Sequence, residues 1–230
     1  MRLLGVIVIL ATSVQAAEKS HAVFGQVTIR DDAGALIEDA GGVLIYLDGV
    51  ASDTAYPIPA IRPKMASREK KFVPDVLPVL VGTTVDFPNT DPILHNVFSL
   101  SKTKSFDLGL YHGGGSHPVT FDKPGVVRVY CNIHEGMNGY VIALENPHFT
   151  LTDAQGRYEI PGAPPGTYSV ASWYRFGPGK TQTITVGNRV GRQEVNFKME
   201  KGDEVNFELV RTRITYRHRN KWGQPYKKDY

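Results

Sequence analysis

An all-β fold built from two β-sandwiches is the expectation from this sequence, and three observations carry it. Turn formers are frequent, with 23 glycines and 15 prolines in 230 residues. Apolar residues alternate with polar ones or gather in short runs, at the spacing of strands between turns. No stretch of any length carries the helical repeat of apolar positions. The length allows one large or two small domains.

The chain begins MRLLGVIVILATSVQAAEKS. Arg2 makes a positive start, Leu3 to Val14 form a short apolar core, and Val14-Gln15-Ala16 offers small residues for cleavage. This is the pattern of a secretory signal peptide over residues 1–16, cut after Ala16. The apolar run is short for a membrane-spanning helix. No cysteine adjoins the cut, which argues against a lipid anchor. The expected destination is the periplasm.

Residues 24–47 read as two strands around turns supplied by DDAG and DAGG, the second strand being the continuous apolar run VLIYL. Residues 51–71, rich in proline, alanine and charge, read as loop. From Phe72 the pattern tightens. VLPVLVGTTVDFPN is strand, turn, strand, and HNVFSL is another strand. SFDLGLYHGGGSHPVTFDKPG holds two short strands about a glycine-rich loop, VVRVYC alternates with period two, and GYVIAL closes the series. That is sandwich spacing. After Asn146 come the paired positions Phe149 and Leu151, Tyr158 and Ile160, Tyr168 and Val170, with DAQG and APPG between them. TITV, EVNFKM and EVNFELV read as further strands.

Charge excludes little by itself. The net value of +3 is too small to argue for nucleic acid. The tail, residues 210–230, is locally basic, with Arg211, Arg213, Arg217, Arg219, Lys221, Lys227 and Lys228 against Asp229. It is either a solvated end or a dock for an acidic redox partner, with an anionic membrane surface the weaker option. Interleaved Tyr216, Trp222 and Tyr226 would suit nucleic acid, but export argues against it.

The chemistry gathers in YCNIHEGM, residues 130–137. Cys131 is the only cysteine. Cysteines of exported proteins normally pair, so a lone one is an intermolecular disulfide, a buried inert thiol or a metal ligand. Cys131, His134 and Met137 place a thiolate, an imidazole and a thioether within seven residues. Soft sulfur with imidazole selects copper, and a trigonal His₂Cys site with a weak axial methionine is the blue-copper arrangement. A second histidine is needed. His95, in VDFPNTDPILHNVF, is the candidate, because it opens a strand after a polar turn.

With those residues in view, residues 72–145 resemble the cupredoxin family of plastocyanin, amicyanin and pseudoazurin. The C-x-x-H-x-x-M loop with an upstream His-Asn-Val is the family's order of ligands. The resemblance implies a Greek-key sandwich over 68–145 and one type 1 copper site cycling between Cu(I) and Cu(II). His95, Cys131 and His134 would be equatorial ligands, Met137 axial, and Asn96 would hydrogen-bond across the site to tie the two ligand loops. The segments GQVTIRDDAGALIEDAGGVLIYLDG and TLTDAQGRYEIPGAPPGTYSVASWY resemble the two halves of the carboxypeptidase regulatory-like, transthyretin-like sandwich. That implies a discontinuous domain over 22–50 and 146–200, with the copper domain inserted; two sequential domains are the alternative. Proteins of this two-part build are often labelled methylamine-utilisation-like, which implies a link to amine oxidation.

Other candidates are weaker. His112 and His117 flank the glycine-rich loop and offer a second copper or zinc site, a partner contact, or two solvated side chains. Glu135 is an alternative, harder axial ligand. His21 and His148 read as surface residues. The expected function is therefore an exported carrier of single electrons, not an enzyme, serving a cytochrome c or a dehydrogenase. Copper handling is a second reading, set back by the absence of a Met- or His-rich tract. A multicopper oxidase or nitrite reductase needs further histidines, commonly in His-x-His pairs, and none occurs. A partner-binding module with a degenerate copper site is the remaining alternative.

Overall fold

The computed structural model describes residues 21–51, 56–189 and 191–202. The expected signal peptide, the strand at 204–210 and the basic tail lie outside the described residues. Within them the chain forms strands and no helix, so none is long and apolar enough to cross a membrane.

Two sheets share the first core. One is centred on β1 (Ala22–Arg30), which pairs antiparallel with β13 (Arg157–Pro161). The other edge of β1 is shared in succession by β16 (Arg192–Glu194) and β17 (Phe197–Glu200), both parallel to it. Gly25 sits where the partner changes. A Cβ there would lie 1.9 Å from the Val195 carbonyl oxygen, so only glycine admits the crossing. The facing sheet has the order β12 (Phe149–Leu151), β2 (Leu44–Asp48), β14 (Gly166–Trp173), β15 (Thr181–Val186). Val23, Val27, Ile45, Leu47, Ile160, Val170 and Phe197 fill the space between the two sheets.

Between β2 and β12 the chain builds a second unit. Its main sheet runs β5 (Val76–Leu80), β11 (Asn138–Leu144), β10 (Gly125–Tyr130), β7 (His95–Leu100), β8 (Ser105–Tyr111). The pair β6 (Thr84–Pro88) and β9 (Ser116–Thr120) closes its core, which holds Val85, Phe87, Val119 and Phe121 with Val97, Val127, Val129 and Val141. One segment departs from the sequence expectation. Residues 51–71 were expected as loop, but β3 (Ala66–Arg68) pairs with β4 (Lys71–Val73) in a tight hairpin. Met65, Ser67 and Phe72 turn inward and are buried, which a proline-rich, charged composition does not reveal.

The two units meet along a third cluster: Leu44, Val76, Tyr140 and Ile142, with Tyr46 and Trp173 packed against them. Strand β2 alternates between this junction (Leu44, Tyr46) and its own core (Ile45, Leu47). Strand β11 does the same with Tyr140 and Ile142 against Val141 and Ala143. A strand buried on both faces reads as a continuous apolar run, which is why VLIYL and YVIAL show no alternation.

Candidate metal centre

The ligand loop is the connection between β10 and β11. Tyr130 lies opposite Asn138 in that ladder, so residues 131–137 form its closed end. Inside the loop the Cys131 N–H donates to the Met137 carbonyl at 3.1 Å and the Met137 N–H to the His134 carbonyl at 3.4 Å. Gly136 turns the chain back with φ of 73°, a left-handed conformation that glycine adopts without cost. Cys131 and Met137 therefore stand at the base of the loop and His134 near its tip. Strand β10 is also paired with β7, Tyr130 opposite Phe98, which carries the start of β7, and with it His95, to the same end of the sheet.

Three ligand atoms converge there. His134 Nδ1 and His95 Nδ1 are 3.1 Å apart, and Cys131 Sγ lies 3.5 Å from the first and 3.8 Å from the second. Metal bonds of about 2.0 Å to nitrogen and about 2.3 Å to sulfur, at ordinary angles, require edges of roughly 3.1 to 3.8 Å. The triangle thus has the size for one ion. Among the described residues these three are the only group of His, Cys, Asp or Glu side chains so arranged. His95 is fully buried, Cys131 is 3% exposed and His134 is half-buried. Met137, 1% exposed, belongs to the same apolar cluster as Cys131.

The electrostatics suit a cation. Burial pushes the Cys131 thiol up, opposed by backbone N–H donors from Asn96, Ile133 and His134 aimed at the sulfur. A thiol that burial keeps protonated becomes thiolate when a cation replaces its proton. Burial, then the neighbouring His95 and Lys70, holds His134 below the usual histidine range, so its imidazole is neutral and its lone pair available at pH 7.

The residue sequence reasoning missed is Asp91. Its Oδ2 lies 2.8 Å from His95 Nε2. Because His95 Nδ1 faces the cluster, Nε2 is the ring nitrogen placed to donate to Asp91, an arrangement that would leave Nδ1 as the atom offered to a metal. The same carboxylate accepts the N–H groups of Glu69 at 2.7 Å and Lys70 at 3.0 Å. Those two residues form the β3–β4 turn with φ of 53° and 57°. That turn type normally calls for Asn-Gly; here the carboxylate stabilises a non-glycine pair. Burial raises the Asp91 pKa, but the two N–H donors and His95 outweigh it and hold it below the usual carboxylate range. Asn89 supports the arrangement by accepting from the Asp91 N–H and donating to the carbonyls of Ile93 and Tyr111. Gly113 belongs to the same packing: a Cβ there would lie 2.3 Å from the Asp91 carbonyl oxygen. The available signal was the turn-forming Asn89-Thr90-Asp91-Pro92 before His95.

Asn96 makes two separate contacts. Its side-chain amide donates to Asp107 Oδ1 on β8 at 2.7 Å, not across the site. The link to the ligand loop comes from its backbone N–H to Cys131. A bulge in the β7–β8 pairing between Asn96 and Phe98 accompanies this, and such irregularities re-aim groups beside sites. His112 and His117 join no ligand group among the described residues; the His117 ring stands edge-on to Tyr111 with centroids 4.7 Å apart. Glu135 is exposed and outside the triangle. His21 Nε2 meets the Arg189 carbonyl at 2.8 Å. His148, expected at the surface, is half-buried against Tyr56.

No family model matches the chain, and no curated protein matches it. Several solved structures are similar over part of it. A purple cupredoxin from Nitrosopumilus maritimus aligns with 36% of this chain and 99% of its own, at 24% identity and a TM-score of 0.33. Amicyanin from Paracoccus versutus aligns with 42% of this chain and 99% of its own, at 21% identity and a TM-score of 0.35. A copper-containing nitrite reductase from Thermus scotoductus aligns with 42% of this chain and only 25% of its own, at 27% identity and a TM-score of 0.36.

Proposed function

We propose that this protein is an exported, periplasmic cupredoxin-type copper protein that carries single electrons. The observation that supports it most is the triangle of His95 Nδ1, Cys131 Sγ and His134 Nδ1, with edges of 3.1 to 3.8 Å, next to buried Met137. A thiolate and two imidazoles with a thioether favour copper over harder ions, and copper held there would supply a one-electron Cu(I)/Cu(II) couple. The protein's part is to keep the ligands still. Ladder-ended strands hold Cys131 and His95, Asp91 holds the far side of the His95 ring, and three N–H groups support the sulfur. Half-buried His134 is the ligand nearest solvent and the natural contact for a partner. The partner class is a cytochrome c or a dehydrogenase, with amine oxidation as the linked chemistry.

The deciding experiment adds one equivalent of Cu(II) to the purified protein and records visible absorption and EPR. An intense thiolate-to-copper band with narrow hyperfine splitting, bleached by ascorbate and restored by oxidant, is the expected result. A pale solution with an ordinary tetragonal signal would overturn the reading in favour of copper handling or a partner-binding module.

Met137→Gln is expected to retain copper and lower its reduction potential, because an amide oxygen favours Cu(II) more than a thioether does. Each tenfold gain in preference for Cu(II) is worth about 59 mV in a one-electron couple. Voltammetry of the two proteins side by side measures it; equal potentials would remove Met137 from the ligand set.

A further inference from the structure

The Met137 side of the ligand loop is held from the other sandwich. Arg175 follows β14, in the first unit. Its Nη1 donates to Asp75 Oδ2 at 2.5 Å and its Nη2 to Asn138 Oδ1 at 2.8 Å. Asn138 Nδ2 in turn donates to the Gly136 carbonyl at 3.1 Å. Gly136 and Asn138 are the two chain neighbours of Met137. The guanidinium lies over the rings of Tyr140 at 5.4 Å and Phe176 at 4.9 Å, and Trp173 stands edge-on to Tyr140 at 5.0 Å. These contacts seat it in the junction between the units, with 15% of the side chain exposed.

Met137 itself is buried in the apolar cluster, but this side of the loop also borders open space. A cleft of about 420 Å³, lined by Phe72, Gly136, Met137, Asn138 and Arg175 among others, lies against it. Arg175 is the side chain in that lining that comes from the first unit, and its planar fork meets both Asp75 and Asn138. A lysine ammonium, as a point charge on a flexible stem, cannot reproduce that two-pronged geometry.

We propose that Arg175 is a positioning residue for the metal centre: through Asn138 and Gly136 it sets how firmly Met137 is held, and so couples the seating of the two sandwiches to copper retention and potential. This rests on the reading of His95, Cys131, His134 and Met137 as a copper site. Contacts outside the ligand shell orient ligands and tune metals in this way.

Arg175→Ala, Arg175→Lys and Asn138→Ala, alone and combined, test it. Each single variant is expected to release Cu(I) to a chelator roughly tenfold faster, in line with the loss of an outer-shell partner. Each should also shift the reduction potential and the copper hyperfine splitting. The Arg175→Ala, Asn138→Ala double variant should be no worse than either single one, because the two act in one chain of contacts. A lower melting temperature with unchanged potential, hyperfine splitting and release rate would make Arg175 a staple between the units and overturn the proposal. Amide exchange on the metal-free protein separates this from the metal reading. Faster exchange at Gly136, Met137 and Asn138 in Arg175→Ala supports the brace even if the parent protein never develops a thiolate-to-copper band. Unchanged exchange there overturns it.

Discussion

Cys131→Ser is expected to abolish the thiolate-to-copper band and to convert any bound Cu(II) to an ordinary tetragonal EPR signal. Intensity of that kind requires a thiolate ligand, which the Met137 thioether cannot replace, and Cys131 is the one cysteine of the chain. The fold should survive. The hydroxyl replaces a group that is 3% exposed, but the N–H groups of Asn96, Ile133 and His134 that reach the sulfur are there to meet an oxygen. A buried hydroxyl so partnered avoids the penalty of an unsatisfied polar group, so the loss of stability should stay near or below about 1.5 kcal/mol. Far-ultraviolet circular dichroism and a thermal melt of the metal-free protein check the fold, and visible absorption checks the site. A band that persists in the serine variant would end the ligand assignment.

Asp91→Ala is expected to weaken copper binding by about 10- to 100-fold, the usual effect of removing the group that orients a ligating histidine. It should also destabilise the metal-free protein by about 2–3 kcal/mol, because the N–H groups of Glu69 and Lys70 lose their acceptor in a turn with two left-handed non-glycine residues. The two roles can be separated. Glu69→Asn with Lys70→Gly supplies the residues that this turn prefers. In that background Asp91→Ala should recover much of the thermal stability yet leave affinity low, since His95 Nε2 still lacks its partner. Chelator competition and thermal melts measure the two quantities. Recovery of both would mean that Asp91 reaches the metal centre only through the turn.

Much of the fold was legible because strand patterns are local. Alternation, turn residues and the absence of helical periodicity marked an all-β chain, and the described residues form strands alone. The runs VLIYL and GYVIAL were legible as strands, but not that both are buried on two faces or what covers them. The structure supplies the answer: β2 and β11 face one another across Leu44, Val76, Tyr140 and Ile142. The β3–β4 hairpin was hidden because its turn residues are Glu69 and Lys70. Nothing local favours a left-handed pair there. The stabilising carboxylate comes from a residue 22 positions on.

The candidate site divides along the same line. Which side chains have the right chemistry, and the tight spacing of Cys131, His134 and Met137, are properties of the sequence, since donor softness and loop length are local. Distances are not. That His95 Nδ1 comes within 3.1 Å of His134 Nδ1 depends on β7 and β10 being neighbours in one sheet. His95 Nε2 is placed to donate to Asp91 Oδ2, and the loop end is gripped by Arg175, which meets Asp75 across 100 residues of chain. Such contacts are set by packing two sandwiches together, and packing is a property of the whole chain that no short stretch of it encodes.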